Sequence, residues 1–206
     1  MLRRNFVPVF AAILCIAMLL QVGCAGRSRT SSFYVLSPVA DTGPAMKNDT
    51  VGSDIYIAIS AVTLPKYLRK PQIVTRTGSN ELQLAEYHRW AGKIEEDIGR
   101  VIAENLGHML ATDKVLSSPA LAAIAPDYTV KIDISRFDGR LGGDIELTVR
   151  WAIFDGRENI VHGVEATHII ETARGNGYAD LVAAQSRALA AFSRKLADVI
   201  KELAAG

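Results

Sequence analysis

The chain has 206 residues, with 23 Lys or Arg balanced against 22 Asp or Glu and 49% hydrophobic residues. With charge this close to balance and no basic stripe interleaved with aromatics, nucleic acid is excluded as the expected partner. Both cysteines, Cys15 and Cys24, lie near the start, so the body of the chain has no disulfide framework and no cysteine-based metal site.

The first residues read as an export signal. Arg3 and Arg4 form a short positive segment, Phe6 to Leu20 is apolar apart from Pro8, and the run ends at Gln21-Val22-Gly23-Cys24. A small residue followed by cysteine suits the shallow pocket of a signal peptidase, and the thiolate can then accept a diacylglyceryl group. Gln21 stands where such lipoboxes usually carry Leu. The apolar run is a little short for a bilayer span, which needs about 20 residues. Residues 1–23 are therefore expected to be a lipoprotein signal peptide and Cys24 the lipidation site. Residues 24–32 are expected to be a flexible tether and 33–206 one periplasmic domain, long enough to bury a full core.

In the expected domain, Phe33 to Leu36 reads as a first strand and Ser37 to Ser53 as a loop carrying Pro38, Gly43, Pro44 and Gly52. Asp54 to Val62 alternates, with Ile55, Ile57 and Ile59 on one face. Gln72 to Thr77 and Glu81 to Leu84, joined at Gly78-Ser79-Asn80, form a predicted hairpin. The spacing of Ile94, Ile98, Val101, Ile102, Leu106, Met109 and Leu110 predicts an amphipathic helix over 90–110. After a connection with a short strand at Val115-Leu116, three strands follow at 127–136, 144–154 and 160–172. Phe137-Asp138-Gly139 and Asp155-Gly156 supply turn chemistry, which favours an antiparallel meander. Trp151 alternates with Leu147 and Val149 and belongs to the core. A long helix over 178–203 closes the chain, its alanines allowing close approach to a sheet. The predicted class is α+β: a single domain whose mostly antiparallel sheet carries two main helices on one face.

Catalytic and metal chemistry find little support, and no cofactor is expected. Among four histidines, His162 and His168 share a predicted strand face but would lie roughly 20 Å apart at strand rise. His88 and His108 flank the first helix. Gly-x-Ser-x-Gly, phosphate-loop and His-Glu-x-x-His patterns do not occur. Gly175-Asn176-Gly177 could offer amides to an anion, although such a triplet more often simply starts a helix. Leu64 to Arg76 differs from the rest, with Pro65, Pro71, an exposed-looking Tyr67 and a set of cations between strands. It reads either as a stiff connector or as a docking surface, since a stiff aromatic and Arg-rich loop loses little entropy on binding.

Several stretches, in order, carry a family resemblance. They are Gly23-Cys24, Phe33-Tyr34-x-Leu36, Leu64-Pro65-x-Tyr67-Leu68, Pro71-Gln72-Ile73-Val74-Thr75-Arg76, Glu86-x-x-Arg89-Trp90-Ala91 opening a helix, and Tyr178-x-x-Leu181-Val182. The chain resembles the PqiC/YmbA-like auxiliary lipoproteins of ABC-type and MCE (mammalian cell entry) transport systems. The resemblance implies a non-enzymatic subunit of a machine moving lipids or other hydrophobic molecules between the inner and outer membranes. An MCE-domain protein and an inner-membrane component are the implied partners, and homo-oligomerisation is left open. Partner binding is expected on Tyr67, Leu68, Arg69, Pro71, Gln72, Arg76, Arg89 and Trp90. Ala25, after the acylated cysteine, favours the periplasmic face of the outer membrane over inner-membrane retention. A structural lipoprotein of envelope assembly and an unrecognised hydrolase are the competing classes.

Overall fold

The three-strand meander expected from alternation and turn chemistry forms most of the larger of two sheets. In a computed structural model describing residues 30–38, 55–117 and 125–205, β6 (Tyr128–Gly139), β7 (Asp144–Asp155) and β8 (Ile160–Thr172) pair antiparallel in sequence order. The expected signal peptide, Cys24 and most of the loop before the second strand lie outside the described residues. Two short strands, β2 (Ile57–Ile59) and β5 (Val115–Leu116), extend this sheet in parallel, giving the order β5-β2-β6-β7-β8.

The predicted hairpin does form, as β3 (Gln72–Arg76) and β4 (Leu82–Trp90), but it belongs to a second sheet. There β4 lies between β3, antiparallel, and β1 (Ser32–Tyr34), parallel. The domain is α+β, as expected, with its strands divided between two mixed sheets. Its helices are α1 (Ile94–Leu110) and α2 (Tyr178–Ala205).

Trp90 does not open α1; it ends β4. Its N–H donates to Pro71 O at 2.8 Å and Ala91 N–H donates to Tyr34 O at 2.9 Å, so both neighbouring strands hold this corner. The helix starts after Lys93, which is extended, and its first turn carries Glu95, Glu96 and Asp97. Those carboxylates suit the positive end of the helix dipole.

The apolar stripes of both helices pack with the inner face of the large sheet. Ile98, Ile102, Leu106, Leu189, Phe192 and Leu196 are buried with Ile132, Ile134, Leu147, Val149 and Trp151. Trp151 is 1% exposed, as its alternation predicts. Its Nε1–H donates to Thr167 Oγ1 at 3.0 Å, and Phe192 meets its ring edge-on. Buried polar groups need such partners.

Two irregularities decide which residues face where. In β6 the register shifts between Ile134 and Arg136. Before the shift even-numbered Ile132 and Ile134 face the core, and after it odd-numbered Phe137 does. Without that bulge, Arg136 and Asp138 would point into hydrocarbon. In β8 the register slips between the partners of Trp151 and Ile153. His162 therefore stacks on the core-facing Trp151 at 4.7 Å, while His168 reaches Glu146 on the opposite face at 3.5 Å. The two histidines do not share a face, contrary to the alternation expected of an uninterrupted strand.

Candidate functional site

The Phe137-Asp138-Gly139 segment is not a turn. It is the last part of β6, and the turn is made by residues 140–143. Gly139 is required here because a Cβ would sit 2.2 Å from Asp144 O. The bulge sends Asp138 to the outer face of the large sheet, where the 64–71 loop and β3 cover it completely: it is 0% exposed.

A buried carboxylate must be paired or neutral, and this one is paired on every side. Arg76 grips it in a bidentate fork, Nε to Oδ1 at 2.8 Å and Nη2 to Oδ2 at 3.1 Å. Tyr67 donates its hydroxyl to Oδ2 at 2.8 Å, and Arg136 adds Nε to Oδ1 at 3.3 Å. Arg136 also pairs with Glu146, and Arg76 Nη1 donates to Ser79 O at 2.9 Å. Planar forks of this kind are the strongest class of charged hydrogen bond. Burial pushes against ionisation of Asp138, but the hydrogen bonds from Arg76 and Tyr67 and the Arg76 charge prevail, holding it below the usual carboxylate range. Burial first, then the hydrogen bond to Asp138 and its charge, pushes the Tyr67 phenol up to about 12. Tyr67 is thus a hydrogen-bond donor throughout the neutral range.

This clamp revises several expectations for the loop. Tyr67 is half-buried against the core, with its hydroxyl committed to Asp138. Leu68 and Trp90 are core residues and Arg76 is spent on the fork. Gln72 and Arg89 are half-buried, paired across β3 and β4. Arg69, Lys70 and Pro71 remain exposed, together with Lys66. The loop is also tied to itself, Leu68 N–H to Pro65 O at 3.0 Å and Lys70 N–H to Leu68 O at 2.8 Å. It forms a rigid cationic projection braced from beneath by Asp138.

Sequence reasoning missed Asp138, and no local signal marks it. Asp138 lies 62 residues from Arg76 and 71 from Tyr67. The Gly175–Gly177 triplet offers no anion site, because a carboxylate already occupies it. Asp180 Oδ2 accepts from Gly177 N–H at 3.1 Å and would crowd a Cβ on Gly175 at 2.5 Å. Among the described residues no group of His, Cys, Asp and Glu could hold a metal ion. Nor is any helix among them long and apolar enough to cross a membrane.

Comparison with known proteins adds the context this geometry lacks. Residues 34–197 match the family model described as ABC-type transport auxiliary lipoprotein component. The Escherichia coli K12 protein named intermembrane transport lipoprotein PqiC is 24% identical over 141 residues, 68% of this chain and 72% of that one. A crystal structure of a Xanthomonas campestris protein superimposes with TM-score 0.66 at 16% identity, over 81% of this chain and 93% of the other. That of an uncharacterised protein does so at 0.68 and 20% identity, over 84% and 99%.

Proposed function

Because the chain belongs to the ABC-type transport auxiliary lipoprotein family, we propose that it is a non-enzymatic periplasmic subunit of an MCE-type system. That system moves lipids or other hydrophobic molecules between the inner and outer membranes. The observation that carries this reading is the extent of the family match, residues 34–197, which takes in all of α1, α2 up to residue 197, and both sheets but for the first two residues of β1. The lipobox-like Gly23-Cys24 precedes it. Acylation of Cys24, with Ala25 after it, anchors the domain to the periplasmic face of the outer membrane.

In this reading the 64–71 loop is where the MCE partner docks. The clamp fixes the loop's backbone, so Arg69 and Lys70 can pair with partner carboxylates with little ordering cost. Pro71 stiffens the same corner. The charges act mainly on encounter rate and its salt dependence, and Arg69, with its planar fork, also supplies a bidentate anchor.

The test is a photo-crosslinker placed at Arg69 or Lys70 in living cells, with adducts identified by mass spectrometry. An adduct with an MCE-domain protein supports the proposal. Adducts confined to envelope-assembly or cell-wall proteins would favour a structural lipoprotein instead.

A further inference from the structure

The outer face of the small sheet carries an arrangement that partner docking through the loop does not use. The segment from Ser32 to Leu36, which begins as β1 and keeps the same facing beyond it, alternates cleanly. Tyr34 and Leu36 turn inward, Leu36 fully into the core, while Phe33 and Val35 turn outward and are 64% and 54% exposed. Their presentation is fixed from behind. Tyr34 Oη hydrogen-bonds His88 Nδ1 at 2.8 Å, and His88 stacks on Tyr178 at 4.0 Å. Leu36 N–H donates to Asp97 Oδ2 at 2.7 Å, and Arg100 Nη2 donates to Leu36 O at 2.8 Å. Two large apolar side chains are thus held out in water by a segment bolted to both helices.

Phe33 pairs in register with Arg89, which pairs with Gln72, so a cation lies beside the exposed ring on the same face. Beside Val35, a groove lined by Tyr34, Val35, Pro38, Val182, Ala183 and Arg187 continues the apolar surface. An aromatic ring, a branched aliphatic and a flanking arginine are the chemistry of a membrane interface, with apolar groups below the headgroups and cations at phosphate level.

The occupant follows from where the chain leads. The segment from Cys24 to Ser32 spans at most roughly 30 Å when fully extended, and Arg27 and Arg29 lie within it. We propose that Phe33 and Val35, flanked by Arg89, seat the domain directly on the phospholipid surface, turning a loose lipid tether into an oriented one. This rests on acyl anchoring at Cys24, which the experiment checks separately.

The acylated protein carrying F33W is reconstituted in vesicles of phosphatidylethanolamine and phosphatidylglycerol with brominated acyl chains. I160W is the control. Ile160 is 59% exposed and pairs with Phe154, itself paired with Thr129 next to Tyr128, whose hydroxyl reaches Leu203 O near the end of α2. Phe33 lies at the other end of that helix, beside Tyr34, which packs on Tyr178. The two sites are therefore separated by roughly 40 Å of helix. Native Trp90 and Trp151 are buried and supply a constant background. Interfacial insertion by about 5–10 Å should cost the F33W protein at least about half its added emission, while the I160W protein keeps its own. Quenching of F33W alone in vesicle-bound protein supports the proposal. Protein that floats with the vesicles while F33W stays bright overturns it and leaves the anchor intact. Protein that does not float overturns both. F33W emission that shifts only on adding a purified MCE-domain partner assigns the face to protein and also overturns the proposal.

Discussion

Replacing Asp138 with Ala removes the acceptor on which Tyr67, Arg76 and Arg136 converge. Breaking one side of a fully buried ion pair costs about 3–5 kcal/mol. Here the figure must be discounted, because the Arg76 and Arg136 side chains retain 18% and 31% exposure and can turn towards water. Arg136 also keeps Glu146. Against that, the Tyr67 hydroxyl loses a charged acceptor, worth about 1.5–3 kcal/mol. The net expectation is about 3 kcal/mol, a large part of a typical margin, and a fall in Tm of roughly 6–12 °C for a domain of this size. Thermal unfolding followed by circular dichroism reads it directly, with Arg69→Ala as a surface control expected to move Tm by no more than about 2 °C. If Asp138→Ala melts as the wild type does, the clamp does not hold the loop and the rigidity argument for docking fails.

Further expectations follow from the same structure. The ionised Asp138 stabilises the fold above the ordinary unfolded carboxylate pKa of about 3.9, and this share is lost as pH falls through its lowered folded value. Asp138→Asn should therefore lose less stability than wild type between neutral pH and the acid transition, and parallel acid-unfolding curves would refute this. Trp151→Ala should cost about 3–5 kcal/mol, given its burial and its bond to Thr167; a Tm within a degree or two of wild type would show the facing to be wrong. Cys24→Ser should abolish lipid attachment, and palmitate labelling equal to wild type would end the lipoprotein reading. Tyr67→Ala, unlike Arg69→Ala, should lower Tm, because its hydroxyl braces the loop from inside; equal melting of the two would contradict the clamp.

Much of this fold is legible in sequence where one periodicity runs unbroken. β7 alternates as its sequence does, with Ile145, Leu147, Val149 and Trp151 buried, and α2 starts where its stripe does. The readings that failed lie where periodicity is interrupted. β4 runs Leu-Gln-Leu-Ala-Glu-Tyr-His-Arg-Trp, with its register displaced between Leu84 and Arg89; its polar C-terminal half has the pattern of neither a strand nor a helix, so the sequence leaves Trp90 looking like the start of the neighbouring helix. The β6 and β8 bulges each shift a face by one residue, hiding the burial of Asp138 and separating His162 from His168. Tyr67 looked exposed because its acceptor is remote in sequence. The third strand of the small sheet comes from β1 adding to β4 in parallel, a pairing across the intervening chain that no local pattern announces. Arg69 and Lys70 could be read correctly as surface cations because they sit at the exposed tip of the loop, where among the described residues no side chain from elsewhere covers them.

The measurement closest to the central claim is affinity purification of the acylated protein from cells in mild detergent, with wild type beside Arg69→Ala/Lys70→Ala. The MCE-domain protein and the inner-membrane component should co-purify with wild type. The double variant, folded and still acylated, should bind roughly thirty-fold more weakly, as removal of an interface anchor worth about 2 kcal/mol implies. Wild-type protein recovered with neither partner, or a double variant that retains both at full strength, would contradict that claim.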